Sequence, residues 1–377
     1  MTLVGFFGEG EKKLQKATRA SKKTNIDPCE KCGLYKTCKT PKMEPHGDFK
    51  KKLLVWAEAP GEDEDENTHY QLTGKSGQYL RSFLRPYHID LDRDCLKINS
   101  VDCRPPNNRT PSQTELNCCY PRKQKVLDEY KPRVILLLGA ASVDSFYGAS
   151  QERNFVSLSI VSLRGKIIPD ERLGAWICHS YHPAYILRGN EDKVHIFEQD
   201  MLSFVKAAKL QISKFDSSHV INSVVLLTDF DKVMGNLVAL YEGKYPFVFD
   251  YETSSYRYYE KIHKLYIISF GAIDKNIGDV VYVFPYDLSV NGKDVSYWSV
   301  KQKKEIDKIW INLMLHNPKV AQNIKHESLA TKCFFNVWPE NWLWDTMLGS
   351  RTMDESYGVN GLKIQAYLNW GVCDYSR

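Results

Sequence analysis

The run RVILLLG, Arg133–Gly139, constrains this chain more than any other stretch. It is apolar throughout after the arginine and lies between Pro132 and Gly139, so it leaves no polar face for water. Such a run suits a central parallel strand covered on both sides. Related segments surround it. Lys52–Ala59 (KLLVWAEA) reads as a strand opening into a Gly- and acid-rich loop, with a helix from about Ser76 to Leu84. Leu96–Val101 (LKINSV) reads as a second strand, followed by a Pro-rich loop and a helix from about Ser112 to Tyr130. Trp176–Ser180 (WICHS) is a further strand, and a helix from about Lys193 to Ile212 closes this half. The rhythm predicts an α/β sandwich whose site lies beyond the C-terminal ends of the strands.

A polar linker at Ser213–His219 precedes a different pattern. Tyr245–Thr253, Lys264–Ile273 and Val280–Pro285 are three strands in succession, followed by a helix near Lys301–Leu315 and a short strand at Lys319–Gln322. That order predicts a ribonuclease-H-like layer. The expected organisation is a basic extension at 1–28, an α/β domain at 29–212, the linker at 213–219, and a second domain at 220–377.

A length of 377 residues, 43% hydrophobic and 26% charged, fits two soluble domains. No apolar run reaches membrane-spanning length. The start, MTLVGFFGEGEKK, has no basic region before its apolar patch, so a secretory signal is not expected and a cytoplasmic setting is. The net charge of +5 is uneven, with 13 Lys and Arg against 6 Asp and Glu in residues 1–52. That segment reads equally as a nucleic-acid contact or a solvated tail.

The ten cysteines argue for metal ligation or buried thiols over disulfides. Cys29 and Cys32 form a CxxC pair. The second pair is drawn from Cys103 and either Cys118 or Cys119, with Cys38 to spare. Four such sulfurs bind zinc or an iron–sulfur cluster.

Five stretches occur together in one order: AEAPGEDED (57–65), GKSGQYL (74–80), INSVDCRPPNNRTP (98–111), VILLLG (134–139) and YHPAYILR (181–188). Through them, residues 29 to about 205 resemble a family 4 uracil-DNA glycosylase. The resemblance implies a three-layer α/β/α fold that flips uracil out of DNA and excises it. It also implies a structural [4Fe–4S] cluster on Cys29, Cys32, Cys103 and Cys119, with Cys118 off register as a neighbour. It assigns Glu58 to positioning water or stabilising the cationic sugar. Asn99, whose amide offers a donor and an acceptor together, reads the uracil edge. His182 hydrogen-bonds the uracil carbonyl as charge grows on the base. Tyr185, Ile186 and Leu187 form an apolar wedge ending in Arg188, which meets phosphate. Gly74, Lys75 and Ser76 open a helix able to hold another phosphate. Two departures stand out. Ala57 replaces the family's first glycine, and QLTG replaces PFVG, so Leu72 stands where a Phe stacks on uracil and Tyr70 becomes the alternative ring. The competing expectation is a catalytically weakened domain that binds DNA or uracil for an attached polymerase.

In FDYET, alternation puts Asp250 and Glu252 on one face of a strand, a pairing that calls for a divalent cation. FDYET and KVAQNIKHESL (319–329) resemble the first two exonuclease motifs of family A DNA polymerases of viral type. The resemblance implies that Glu327 completes a Mg²⁺ or Mn²⁺ site, with Asn323 accompanying it, for two-metal 3′–5′ hydrolysis. WDTMLGSRTM (344–353) matches the next stretch, with Asp345 structural. No later Tyr-xxx-Asp follows, since Tyr357, Tyr367 and Tyr375 lack an Asp four residues on. The expectation is therefore the front portion of a phage-type DNA polymerase acting on DNA, single- or double-stranded, with a truncated, weak exonuclease.

Overall fold

A computed structural model describes residues 28–149, 156, 158–209, 223–254, 264–273, 280–290, 292–356 and 358–372. The basic extension (apart from Pro28), the linker at 213–219, Tyr357 and Tyr375 lie outside the described residues. Packing divides the chain into two compact units. One is Met1–Lys131, Leu138–Ser150 and His182–Glu191; the other is Pro132–Leu137, Gln151–Tyr181 and Asp192–Arg377.

The first sheet has five strands: β1 (Leu53–Ala57), β2 (Cys95–Asn99), β3 (Val134–Leu138), β4 (Ile167–Asp170) and β5 (Ala175–Ser180), in the order β2-β1-β3-β5-β4. Every residue of β1, β2 and β3 is buried, as the unbroken apolar runs of β1 and β3 require; in β2 the burial includes Lys97, which pairs with Asp92, and Asn99. β1 and β2 run parallel in register from Leu53 opposite Cys95 to Ala57 opposite Asn99. β4, which the sequence pattern does not reveal, is an antiparallel edge strand paired with β5.

Four helices carry candidate site residues: α1 (Pro28–Cys32), α2 (Lys75–Leu84), α3 (Gln113–Tyr130) and α4 (Pro183–Leu187). Ser112 starts α3 through a capping box with Glu115. Arg109 braces that cap with two bonds to the Glu115 carboxylate, at 2.9 and 2.7 Å.

The second sheet holds β6 (Val224–Leu226), β7 (Phe247–Thr253), β8 (Leu265–Ala272), β9 (Val281–Pro285), β12 (Lys319–Ala321) and β13 (Trp342–Asp345), in the order β13-β12-β7-β8-β9-β6. β10 (Asp287–Val290) and β11 (Lys293–Ser296) form a separate antiparallel hairpin. β7, β8 and β9 are an antiparallel meander, while β12 lies parallel to β7 and β13 parallel to β12. A meander continued by two parallel strands is the ribonuclease-H-like arrangement. Its core gathers on Trp310 of helix α5 (Val300–His316), whose indole N–H donates to the Tyr251 hydroxyl at 2.7 Å. That hydroxyl also meets Thr331 at 2.9 Å on helix α6 (Ile324–Phe335).

Within the second unit, helix α7 (Leu362–Trp370) packs on β4. Tyr367 is fully buried and its hydroxyl donates to buried Asp170 at 3.1 Å. Gly371 comes so close to Pro169 that a Cβ would stand 1.8 Å from its carbonyl oxygen. The edge of β4 is thus covered by a helix nearly two hundred residues on, which is one way that proteins protect an edge strand.

Candidate active site

The first-region candidates sit where strands give way to loops. Glu58 leaves β1 beside the end of β2. The backbone N–H of Ser100 donates to the carbonyls of Ala57 (2.9 Å) and Glu58 (3.0 Å), and its hydroxyl donates to Ala57 at 2.8 Å. The Trp56 indole N–H in turn donates to that hydroxyl at 3.0 Å. These bonds fix the Glu58 backbone. Burial pushes its carboxyl above the ordinary value, opposed by the positive charge of Arg188 and by a hydrogen bond from Thr110. Thr110 escapes a reading of the sequence because nothing in NRTP distinguishes its hydroxyl.

Asn99 is the last residue of β2, not a mid-strand residue, and is 1% exposed. Among the described residues, its Nδ2 has no hydrogen-bond partner. An unsatisfied buried donor costs about 1–3 kcal/mol, so it marks a position for an acceptor from outside.

His182 follows β5 by two residues and caps α4, its Nδ1 accepting from the Ala184 backbone N–H at 3.1 Å. Pro183 supplies the first helical residue. An accepting Nδ1 puts the proton of the neutral ring on Nε2. Burial pushes the imidazole down to about 4, and the Arg188 charge acts in the same direction. The ring is therefore neutral at pH 7 and carries an Nε2–H donor. Gly139 permits the approach. Its φ is +85°, and a Cβ there would stand 3.2 Å from that of His182. The positive charge of Arg188 acts on both Glu58 and His182. The expected three-residue tip is a two-residue one. Tyr185 and Leu187 are 40% and 46% exposed, whereas Ile186 packs inward.

The 70–76 loop is held from below. Leu72 is buried in a left-handed conformation, φ 56°, and its carbonyl accepts from Arg81. Arg81 clasps Asp92 with two bonds of 2.8 Å, and Asp92 also takes the fully buried Lys97 ammonium. The Tyr70 ring is stacked on His46 at 4.0 Å between centroids. Gly74 precedes α2, with Lys75 and Ser76 in its first turn.

Cys29, Cys32, Cys103, Cys118 and Cys119 line one cavity together with Lys42 and Arg122. No disulfide joins the described cysteines. The Lys42 backbone N–H donates to the Cys103 sulfur at 3.3 Å, and Cys38 lies beside Cys103. Burial pushes Cys103 up to about 12 and Cys119 to about 11, so each stays a thiol until a metal centre displaces its proton. Asp65, in the loop after β1, accepts from the backbone N–H groups of Lys39 (3.1 Å) and Thr40 (2.7 Å) and pins the cysteine segment. Among the described residues, no three His, Cys, Asp or Glu side chains surround one point closely enough for a single ion. The donor set still fits a cluster, in which each thiolate binds its own iron and the sulfurs stand farther apart.

Residues 44–206 match the family model described as uracil DNA glycosylase superfamily. The type-4 uracil-DNA glycosylase of Sulfurisphaera tokodaii is 31% identical over 192 residues, covering 51% of this chain and 84% of that protein. That of Thermotoga maritima is 30% identical over 189 residues, covering 50% and 92%. That of Archaeoglobus fulgidus is 34% identical over 165 residues, covering 43% and 79%. The chain belongs to the type-4 uracil-DNA glycosylase family. Among solved structures, Trypanosoma brucei RNase D complexed with RNA U12 matches at TM-score 0.25 and 15% identity, covering 35% of this chain and 42% of that one. That likeness is too slight to carry an argument.

The glycosylase match ends before the second sheet, where a separate group of acids sits. Along β7, Phe247, Phe249 and Tyr251 are buried while Asp250 and Glu252 face out together. Glu327, on α6, is 2% exposed, and among the described residues its Oε2 has no partner. Burial, and then the charges of Asp250 and Asp345, push its carboxyl up to about 8. Burial also raises Asp250; burial, then Asp250, raises Glu252. Asp345 accepts from the backbone N–H groups of Asn323, Ile324, Met347 and Leu348 at 2.9–3.1 Å, a structural cap. Asp250 thus acts on both Glu327 and Glu252, but among the described residues no three acids surround one point closely enough for a single ion, so Asp250, Glu252 and Glu327 do not form the expected three-carboxylate site as they stand.

Proposed function

We propose that this type-4 family member flips uracil out of DNA and hydrolyses its N-glycosidic bond, using Glu58, Asn99 and His182. The observation that carries this reading is Asn99: a buried amide whose Nδ2 finds no acceptor among the described residues, at the strand end next to Glu58. Its Nδ2 donates to one uracil carbonyl while Oδ1 accepts from the ring N–H. As the bond between the base nitrogen and the sugar carbon breaks, the electron pair moves onto the base. The His182 Nε2–H then donates to the carbonyl oxygen where that charge gathers. Glu58 orients water toward the cationic sugar carbon and takes its proton as the new bond forms. Tyr185 and Leu187 fill the gap left in the stack, with Arg188, Gly74, Lys75 and Ser76 available to phosphate.

Cys29, Cys32, Cys103 and Cys119 would hold a [4Fe–4S] cluster, whose contribution is to tie α1 to α3 and to the loop after β2. In the second region, Asp250, Glu252 and Glu327 would hold Mg²⁺ or Mn²⁺ once drawn together, in a 3′–5′ exonuclease module attached to a phage-type DNA polymerase. The motif resemblance and the raised, buried Glu327 carboxyl support this assignment. The domain limits of 29–212 and 220–377 belong to the same reading.

Leu72 in the stacking position, with Tyr70 occupied by His46, favours the second reading: a DNA- or uracil-binding module of weakened chemistry. Abasic-site formation on a uracil-containing oligonucleotide separates the two, with His182→Ala as control. Product from the parent and loss in the variant is the expected result. No product from the parent, with DNA binding retained, establishes the binding module instead.

A further inference from the structure

Helix α3 offers two adjacent thiols to the cysteine cavity, Cys118 and Cys119. A four-thiolate cluster with Cys29, Cys32 and Cys103 needs only one of them. Neighbouring side chains on a helix diverge by about 100°, so both reach one cavity only where it wraps the flank of the helix. α1 packs on that flank and carries the CxxC pair. Cys118 is half-buried there, while Cys119 is buried beneath. Cys38 lies beside Cys103 in the adjoining apolar cluster and does not line the cavity.

We propose that Cys118 is a reserve ligand of this site, taking over the iron that Cys119 holds when Cys119 is lost. The inference rests on the proposed cluster at this cavity. The exchange is a substitution without redox change: the Cys118 thiol gives its proton to water, and its sulfur bonds to the iron whose Cys119 bond is missing. Because both side chains already line the same cavity, the exchange needs a change of side-chain rotamer and not a rotation of α3, which would have to approach ~100°.

The test uses the full chain as wild type, C118A, C119A, C119S and C118A/C119A, prepared without oxygen and reconstituted with ferrous iron and sulfide. Iron and acid-labile sulfide per chain and the visible charge-transfer absorbance are read. C118A should match wild type, and C119A should keep most of the iron with an altered spectrum. The double variant should lose iron affinity by about tenfold or more, as for loss of a metal-site partner. C119S, close in volume to cysteine, guards against a packing defect. If C119A and C119S both fall to the level of the double variant while C118A holds its iron, the proposal is overturned. A wild-type chain that takes up no iron refutes the cluster itself and this proposal with it, and is told apart by failing before any substitution is made.

Discussion

His182 offers a quantitative test of how the fold prepares a catalytic donor. Its imidazole is pushed from an ordinary 6.5 down to about 4, by burial first and Arg188 second. At pH 5 the unfolded ring is almost wholly protonated and the folded ring almost wholly neutral. The unfolded state therefore binds the extra proton, and stability is lost as pH falls through 6.5 toward 4. Integrated from pH 7 to pH 5, the loss amounts to about 2 kcal/mol. His182→Asn is the suitable perturbation, because Asn caps helices well and retains the bond to Ala184 while removing the titration. Denaturant unfolding of parent and variant at both pH values gives the difference directly, with the parent losing about 2 kcal/mol more than the variant. Equal losses, or a ring that titrates near its ordinary value by NMR, would refute the reasoning. So would an NMR spectrum showing the neutral ring protonated at Nδ1.

Three further outcomes are expected from the same geometry. Asn99→Ala should lower single-turnover uracil excision by ~10- to 200-fold, the worth of about 1–3 kcal/mol for a bidentate base contact, without lowering the melting temperature, because it removes a buried donor that has no partner among the described residues. Tyr367→Phe strips a donor from buried Asp170 and should cost about 1–3 kcal/mol, seen as a lower melting temperature and faster proteolysis after residue 354. Glu327→Gln should be more stable than the parent at pH 8 without divalent ions, since a carboxyl raised to about 8 penalises folding increasingly from its ordinary 4.5 upward. That gap should close toward pH 5, and stabilisation by Mn²⁺ should disappear in the variant.

The sequence by itself determined the elements with one dominant period. Whereas the burial of Lys97 and Asn99 in CLKIN was not dictated by its pattern, LLVWA and VILLL had to be buried strands, and FVFDYET had to bury its aromatics and present its acids together. These outcomes depend on neighbours one to four residues away, so local pattern suffices. Glu58, Asn99, His182 and the cysteines stand out in the sequence because each sits in a short continuous motif; strands and helices separate those motifs, so the fold decides which of them meet. Tertiary structure alone decided the rest. β4 has no clear alternation, and its place comes from β5 on one side and α7 on the other. The Nε2 proton of His182 follows from its cap, its depressed basicity from burial and Arg188, and the left-handed turn at Leu72 from Arg81, Asp92 and Lys97 acting together. Burial, charge and hydrogen bonding are sums over everything near a group in space, and most of what surrounds these groups lies tens of residues away along the chain.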